Sequence, residues 1–384
     1  MLLITSYKYV MRIILFDPSG TTNYCNGLAE ALSKRIDVDV IARDNYNYLA
    51  NENYNLYKWF ELSDNTVKHK WEKGFNYIKG YIKTLRLIEK NDYDVFHIQW
   101  LLMYKVDIFF LKKIRKKVKK IVYTAHNIIP HVEGDKKYNE LKKIYDLVDV
   151  IVVHGKASKK ELLELFELEP DKVVIQPHGL NCPKKPSYDI NEVSSNIKEK
   201  IELTRGKIYL YLGVIFEAKG VDRLFRYWGK KCTLYKDDLL VVAGKISEYT
   251  DNYKTEEKAV DNISNLLYLP WKINEVDHHY LYDHADIILL PYRHASMSGV
   301  IFDAATFSKT IITTAVGCIP EYLENNEDSF VVLNEDREFE KKMEMIQKTD
   351  RKQLIAMGEK LNHNISQKYN WEIIAYNLIE DVYE

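Results

Sequence analysis

From Met11 onward, short runs of β-branched and aromatic residues alternate with longer polar stretches in which apolar residues recur at helical spacing. The runs "MRIILFDP", "VDVIAR", "YDVFHIQW", "KIVYTAHN", "DVIVVHG" and "KVVIQPHG" read as strands, and their rhythm implies strand-helix-strand units on a parallel sheet. At "LNCPKKPSYDINEVSS" prolines, lysines and serines replace the apolar pattern, as in a linker. The rhythm restarts with "KIYLYLG", "LLVVAGK", "NLLYLP", "ADIILLPY" and "TIITTAVG". Two doubly wound α/β domains are therefore expected, over 11–185 and 200–365. Each should carry its ligand edge at the carboxyl ends of its strands, with a ligand in the cleft between the domains. No solenoid repeat and no low-complexity tract interrupts this pattern.

The 384 residues exceed what one hydrophobic core serves, which agrees with two domains. A formal net charge of −1, with 46% hydrophobic and 29% charged residues, gives no global attraction to nucleic acid, so any charge preference must be local. Cys25, Cys182, Cys232 and Cys318 lie too far apart in sequence for a zinc or redox motif and read as reduced thiols of a cytoplasmic protein. The segment before Met11 is too short and polar for a signal peptide, and Met11 is itself a candidate start. No apolar run reaches the ~18 residues that span a bilayer. The local charge is "FFLKKIRKKVKK", residues 109–120, where Leu111, Ile114 and Val118 keep helical spacing. It fits a solvated helix between two strands, and it also fits a basic surface resting on anionic lipid headgroups.

Polar residues gather where the predicted strands end. Gly213 closes "KIYLYLG", and Lys219-Gly220 follow at the start of a helix, where a lysine can offer a compact charge to a phosphate. After "ADIILLPY", the amides of Ser298, Gly299 and Val300 would form a helix N-terminus that favours a phosphate, and one turn later Asp303 could accept hydrogen bonds from a pair of ribose hydroxyls. The same residues also fit a plain N-cap and a charge favoured by the helix dipole. In the first half, His97, His126, His131, His154 and His178 all stand at or just past strand ends, so at least one of them is expected to face a polar ligand. They lack the Cys or Glu pattern of a metal site, and "DVD" at 37–39 reads as a strand rather than a ligand pair.

In order and spacing, "FHIQW", "TAHNIIPH", "VVHG", "KVVIQPHG", "YLGVIFEAKGVDRL", "VVAGK", "ADIILLPYRHASMSGVIFDAATFSKTIITTAVGCIPE" and "YNWEIIAYNLIEDVY" resemble a GT-B glycosyltransferase, most similar to the family 4 group that uses sugar nucleotides. The resemblance covers nearly the whole chain. It implies that the second domain binds the nucleoside-diphosphate sugar and the first the acceptor, a glycan or lipid-linked molecule, with residues 366–384 crossing back onto the first domain. Within it, Lys219 and the Ser298, Gly299 and Val300 amides hold the diphosphate, with Gly213 beside them. Asp303 holds the ribose, His126 touches the transferred sugar or its phosphate, and Arg293 adds a bidentate charge near the leaving group. Asn23 and Tyr24, in the loop after the first strand, and His131 belong to the acceptor side. The family transfers with retention and needs no metal or other cofactor, fixed positive groups standing in for the cation. For this chain, with its basic stretch at 109–120, the expected setting is the inner membrane face, in bacterial-type cell-surface polysaccharide or glycoconjugate synthesis.

Three departures stand out. Ala295 replaces the first of two glutamates seven residues apart, the second is the shorter Asp303, and Val214 and Phe216 occupy the places where an arginine before Lys219 tends to occur. They leave open a non-catalytic GT-B partner or glycan-binding subunit. A GT-B epimerase also uses a sugar nucleotide, but residues 291–320 are closer to transferases.

Overall fold

The computed structural model describes residues 11–20, 22–46, 53–63, 69–128, 134–180, 185–247 and 263–384. They form two compact units, the first from residues 1–181 with 369–384 and the second from 182–368.

The first unit carries seven strands: β1 (Arg12–Asp17), β2 (Asp37–Arg43), β3 (Tyr54–Phe60), β4 (Val95–Ile98), β5 (Lys120–Thr124), β6 (Val150–Val153) and β7 (Val173–Ile175). They lie in the order β3-β2-β1-β4-β5-β6-β7, and every pairing is parallel. Ile13 stands between Val38 and Val95, so the strand order reverses between β1 and β4. Side chains alternate along β1: Ile14 and Phe16 enter one core and Ile13 and Leu15 the other, as a strand covered on both faces requires. Tyr77 and Tyr81 of α2 (Lys70–Lys90) and Phe110 of α3 (Tyr104–Ile114) fill the first core. Leu28 of α1 (Thr22–Leu32) fills the second.

The chain end returns to this second core. Trp371 opens α12 (Trp371–Leu378), and its indole lies so close to Gly27 and Gly179 that a Cβ at either would come within 2.3 Å of it. Beyond it, the Tyr383 hydroxyl bonds His97 Nδ1 at 2.6 Å, and Lys120 Nζ donates to the carbonyls of Val382 and Tyr383 at 2.9 and 3.1 Å. The final segment is thus a structural part of the first unit.

The second unit repeats the plan with β8 (Ile208–Leu212), β9 (Leu239–Ala243), β10 (Leu266–Leu269), β11 (Ile287–Leu290), β12 (Thr310–Thr314) and β13 (Ser329–Val332), all parallel in the order β10-β9-β8-β11-β12-β13. The strand order reverses between β8 and β11, where such sheets place their ligands. Between and after these strands come α6 (Ser195–Glu202), α7 (Val221–Lys231), α8 (Glu275–His284), α9 (Val300–Thr306), α10 (Asp336–Lys348) and α11 (Arg351–Lys368). In the first unit, α4 (Gly134–Leu147) and α5 (Lys156–Phe166) precede β6 and β7.

Three expectations change. Strands β3 and β13 have no counterpart among the predicted runs; both are sheet edges, where one neighbour is missing and less apolar sequence is needed. Asn23 and Tyr24 belong to helix α1 rather than to a loop. Residues 109–120 are not one helix: α3 ends at Ile114, and Lys120 begins β5. Much of the charge there is compensated, since Arg115 pairs with Asp149, Lys117 with Glu89 at 3.0 Å and Lys119 with Asp94 at 2.7 Å. "DVD" is a strand, with Asp39 buried and paired to Arg12 at 3.1 Å. No described helix is long and apolar enough to cross a membrane. Cys25, Cys232 and Cys318 are free thiols, while Cys182 lies outside the described residues.

Candidate functional site

In the second unit, the loops after β8 and β11 are joined. The amides of Arg293 and His294 both donate to the Ala218 carbonyl, at 2.8 and 3.1 Å. Gly220 lets the loops close: its φ is +64°, and a Cβ there would stand 2.0 Å from the Pro291 carbonyl oxygen. This closure sets Lys219 Nζ 3.9 Å from the centre of the Tyr292 ring, whose hydroxyl lies 3.1 Å from Ser298 Oγ. One tyrosine therefore touches both the predicted cation and the predicted phosphate loop. Lys219 makes no ion pair among the described residues, and burial pulls its ammonium down to about 8.

Beside it, the amides of Ile301, Phe302 and Asp303 bond to the carbonyls of Ser298 and Gly299 at 3.0–3.3 Å, but those of Ser298, Gly299 and Val300 donate to no acceptor among the described residues. Gly299 is exposed, with nothing within 4 Å of where a Cβ would stand. Asp303 lies in a concavity: 43% of its side chain meets water, yet the protein around it raises its carboxyl to about 7. His278 Nε2 is 3.9 Å away, and burial, then His279, holds that imidazole neutral by lowering it to about 4.

Two assignments change here. Arg293 is bidentate, but to Asp222, with 2.5 Å between Nη2 and Oδ2, so its charge is already compensated. Gly213 N donates to the Ala243 carbonyl at 3.0 Å, extending the sheet rather than offering a free donor. Ala295 is buried, so a longer acid at that position would displace packed atoms or bury its charge. At the positions of the missing arginine, Val214 is exposed and the Phe216 ring lies 6.0 Å from Lys219 Nζ.

In the first unit, three of the histidines meet at the strand ends around Tyr24, whose ring lies 4.7, 5.4 and 4.9 Å from those of His126, His154 and His178 and 4.9 Å from Trp371. Tyr24 is therefore a buried spacer rather than an exposed acceptor contact, because α1 turns it inward; Asn23, one residue earlier, is exposed. His97 is fully buried between Tyr383 and Thr124. The hydrogen bonds fix the tautomers. His154 Nδ1, 3.1 Å from the Gln176 carbonyl, must carry the proton, so its Nε2 accepts from His126 Nδ1–H at 3.0 Å. His126 Nε2 is then left as an acceptor, while the atom 3.2 Å from it is Gln99 Oε1; turning the Gln99 amide over brings its nitrogen, buried without a partner where it stands, into place to donate. Burial and the neighbouring imidazoles hold His126 neutral, and its ring stacks on Trp100 at 4.8 Å. Both of its nitrogens are thus engaged within the protein. His131 lies outside the described residues. Among the described residues, no group of three His, Cys, Asp or Glu side chains could hold a metal ion.

Sequence reasoning missed Tyr292, Trp100, Trp371, Gln99 and His278. Tyr292 stands next to Arg293, Gln99 and Trp100 lie in "FHIQW" and Trp371 in "YNWEIIAYNLIEDVY", all stretches already singled out; nothing in the sequence marks His278 as a neighbour of the site.

The model of glycosyltransferase family 4 matches residues 18–183, and that of glycosyl transferases group 1 matches residues 193–365. The phosphatidylinositol N-acetylglucosaminyltransferase GPI3 subunit of Saccharomyces cerevisiae is 25% identical over 247 residues, which is 61% of this chain and only 50% of that protein. The D-inositol 3-phosphate glycosyltransferase of Corynebacterium aurimucosum is 24% identical over 320 residues, 76% of this chain and 72% of that one. Among solved structures, the sucrose-phosphate synthase of Thermosynechococcus elongatus superposes with a TM-score of 0.73 at 16% identity, covering 96% of this chain and 98% of that one. Anabaena HepE in complex with UDP superposes with a TM-score of 0.68 at 15% identity, covering 96% and 99%. The chain belongs to the GT-B glycosyltransferases of the family 4-like group.

Proposed function

We propose that this GT-B glycosyltransferase moves a hexosyl group, with retention and without a metal, from a nucleoside-diphosphate sugar to a glycan or lipid-linked acceptor at the inner membrane face. The observation that carries this reading is the Lys219–Tyr292–Ser298 contact beside three amides without a protein acceptor. A cation and aligned N–H groups suit a diphosphate, and they stabilise it as a leaving group without a metal. Asp303, one turn along α9, accepts the ribose hydroxyls, and uridine is the first base to test because the Anabaena neighbour holds UDP. Arg293 acts indirectly, holding the two loops together through Asp222. His126 meets the transferred sugar by exchanging the Gln99 amide for a sugar hydroxyl. With no carboxylate nucleophile at Ala295, front-face attack by the acceptor hydroxyl fits, with the departing phosphate taking the proton.

Calorimetric titration with UDP and other nucleoside diphosphates tests the donor site: binding lost in Lys219→Ala supports it, and binding indifferent to that change removes it. The pairing of Arg293 with Asp222 favours a second reading, a binder that holds a nucleotide but does not turn it over. Release of nucleoside diphosphate from a panel of sugar nucleotides with lipid-linked acceptors separates the two readings.

A further inference from the structure

Helix α2 is turned against the usual pattern. Its buried side holds Tyr77, Gly80, Tyr81 and Thr84, whereas Trp71, Phe75, Ile78 and Ile82, at helical spacing, face solvent with Trp71 72% and Phe75 65% exposed. Two more exposed apolar side chains, Leu102 and Phe109, lie on and just before α3, which packs on α2.

Tyr77 and Tyr81 of α2 donate to Asp107 Oδ1 at 2.6 and 2.8 Å, the Met103 amide donates to Asp107 Oδ2 at 2.9 Å, and the Leu102 amide donates to the Tyr77 hydroxyl at 3.2 Å. These bonds pin the segment between β4 and α3 in place. The same segment walls a cavity of about 600 Å³, lined by Leu101, Leu102, Met103, Tyr104, Val106 and Tyr123. Its size falls within the roughly 300–1,000 Å³ of small-molecule sites. Trp100 also lines it and stacks on His126, so the cavity adjoins the histidine cluster. Lys105 and Lys137 stand on its wall with no ion pair among the described residues, against one acid there, Glu140.

We propose that this cavity seats the aliphatic chain of an anionic lipid drawn from a bilayer, with Lys105 and Lys137 at its phosphate and the exposed face of α2 resting in the membrane. The proposal rests on the lipid-linked acceptor reading above and names where that acceptor sits. An apolar cavity whose lining includes the exposed Leu102, itself tied to α2 through the Tyr77 hydroxyl, suits a ligand whose chain must pass from one apolar medium to another. The two unpaired lysines fix the polarity of its head.

The probe is phosphatidic acid bearing a diazirine at the end of one acyl chain, in phosphatidylcholine vesicles, with no sugar nucleotide present. Illumination should label residues between Trp100 and Val106 and Tyr123. Val106→Trp, which fills the cavity, should cut that labelling about tenfold, a difference of ~1.4 kcal/mol in occupancy. Should Val106→Trp fold poorly, Lys105→Glu with Lys137→Glu, both at the rim, should lower labelling by the phosphatidic acid but not by a diazirine phosphatidylcholine. Labelling confined to Trp71 and Phe75, or labelling undiminished in all variants, would overturn the proposal. UDP titration of the same samples keeps the two claims apart. Labelling absent while UDP still binds defeats the lipid site alone, and labelling present without UDP binding defeats the donor reading alone.

Discussion

Both units reverse their strand order in the same way, between β1 and β4 and between β8 and β11, yet their strand ends are furnished in opposite styles. In the first unit the histidine nitrogens are taken up within the protein: His154 donates to the Gln176 backbone carbonyl, accepts from His126, and His126 faces the Gln99 amide, all packed around Tyr24, which also meets Trp371. In the second, Lys219 lies on an aromatic ring with no carboxylate among the described residues, and three successive amides find no acceptor among them. The comparison teaches that topology supplies the location of a ligand edge and nothing more. Whether that edge is a ready anion site depends on how many of its donors the protein has already used.

The sharpest way to break this contrast is to remove packing from one side and charge from the other. Trp371→Ala should cost about 3–5 kcal/mol of stability, as truncating a buried tryptophan does, seen as a lower urea midpoint. UDP affinity at low urea should stay within about twofold, since Trp371 packs within the first unit and the donor residues belong to the second, and sites without shared partners act nearly independently. A parallel loss of UDP affinity would show that the two edges are not separable.

Lys219→Ala should do the reverse. Loss of a charge-assisted contact worth about 1.5–3 kcal/mol weakens UDP binding roughly 10- to 150-fold. The unfolding midpoint should hold or rise, because the ammonium is desolvated with an aromatic ring but no carboxylate beside it among the described residues. A drop in stability would mean that Lys219 is structural.

The pH dependence sharpens the same point. Burial raises the Asp303 carboxyl to about 7 and lowers the Lys219 ammonium to about 8. Binding that needs an ionised Asp303 and a protonated Lys219 should therefore strengthen as pH rises through about 7 and weaken above about 8. Titrations spanning these limits on both sides should lose the acid limb in Asp303→Asn and the alkaline limb in Lys219→Arg. The shifts act on stability with fixed signs. The folded state holds the Asp303 proton more tightly than the unfolded chain does, so this contribution declines with rising pH up to about 7. Lys219 releases its proton more easily when folded, so its contribution improves as pH climbs from about 8 to the ordinary lysine value of 10.5. The smallest effect belongs to Ser298→Ala, which removes one hydroxyl beside Tyr292 and should cost about 0.5–1.5 kcal/mol in UDP affinity. No change would leave the backbone amides as the whole of that loop's contribution.

The sequence by itself determined the two α/β units, the parallel rhythm and the stretch at 291–303, because strands covered on both faces need apolar runs and a strand end must break into polar or glycine residues. Edge strands β3 and β13 escaped it, since a strand with one neighbour is less constrained in composition. Only the tertiary structure decided what each polar residue had left to offer. Arg293 and Lys219 look equally available in sequence, but Asp222, 71 positions before Arg293, pairs with one, while the other meets the Tyr292 ring and no carboxylate among the described residues. Likewise, the histidines at the strand ends look like one group of candidates until Gln99, Gln176 and Tyr383, from three different parts of the chain, claim their nitrogens. Hydrogen bonds between residues far apart in sequence are set by packing, and no local pattern encodes them.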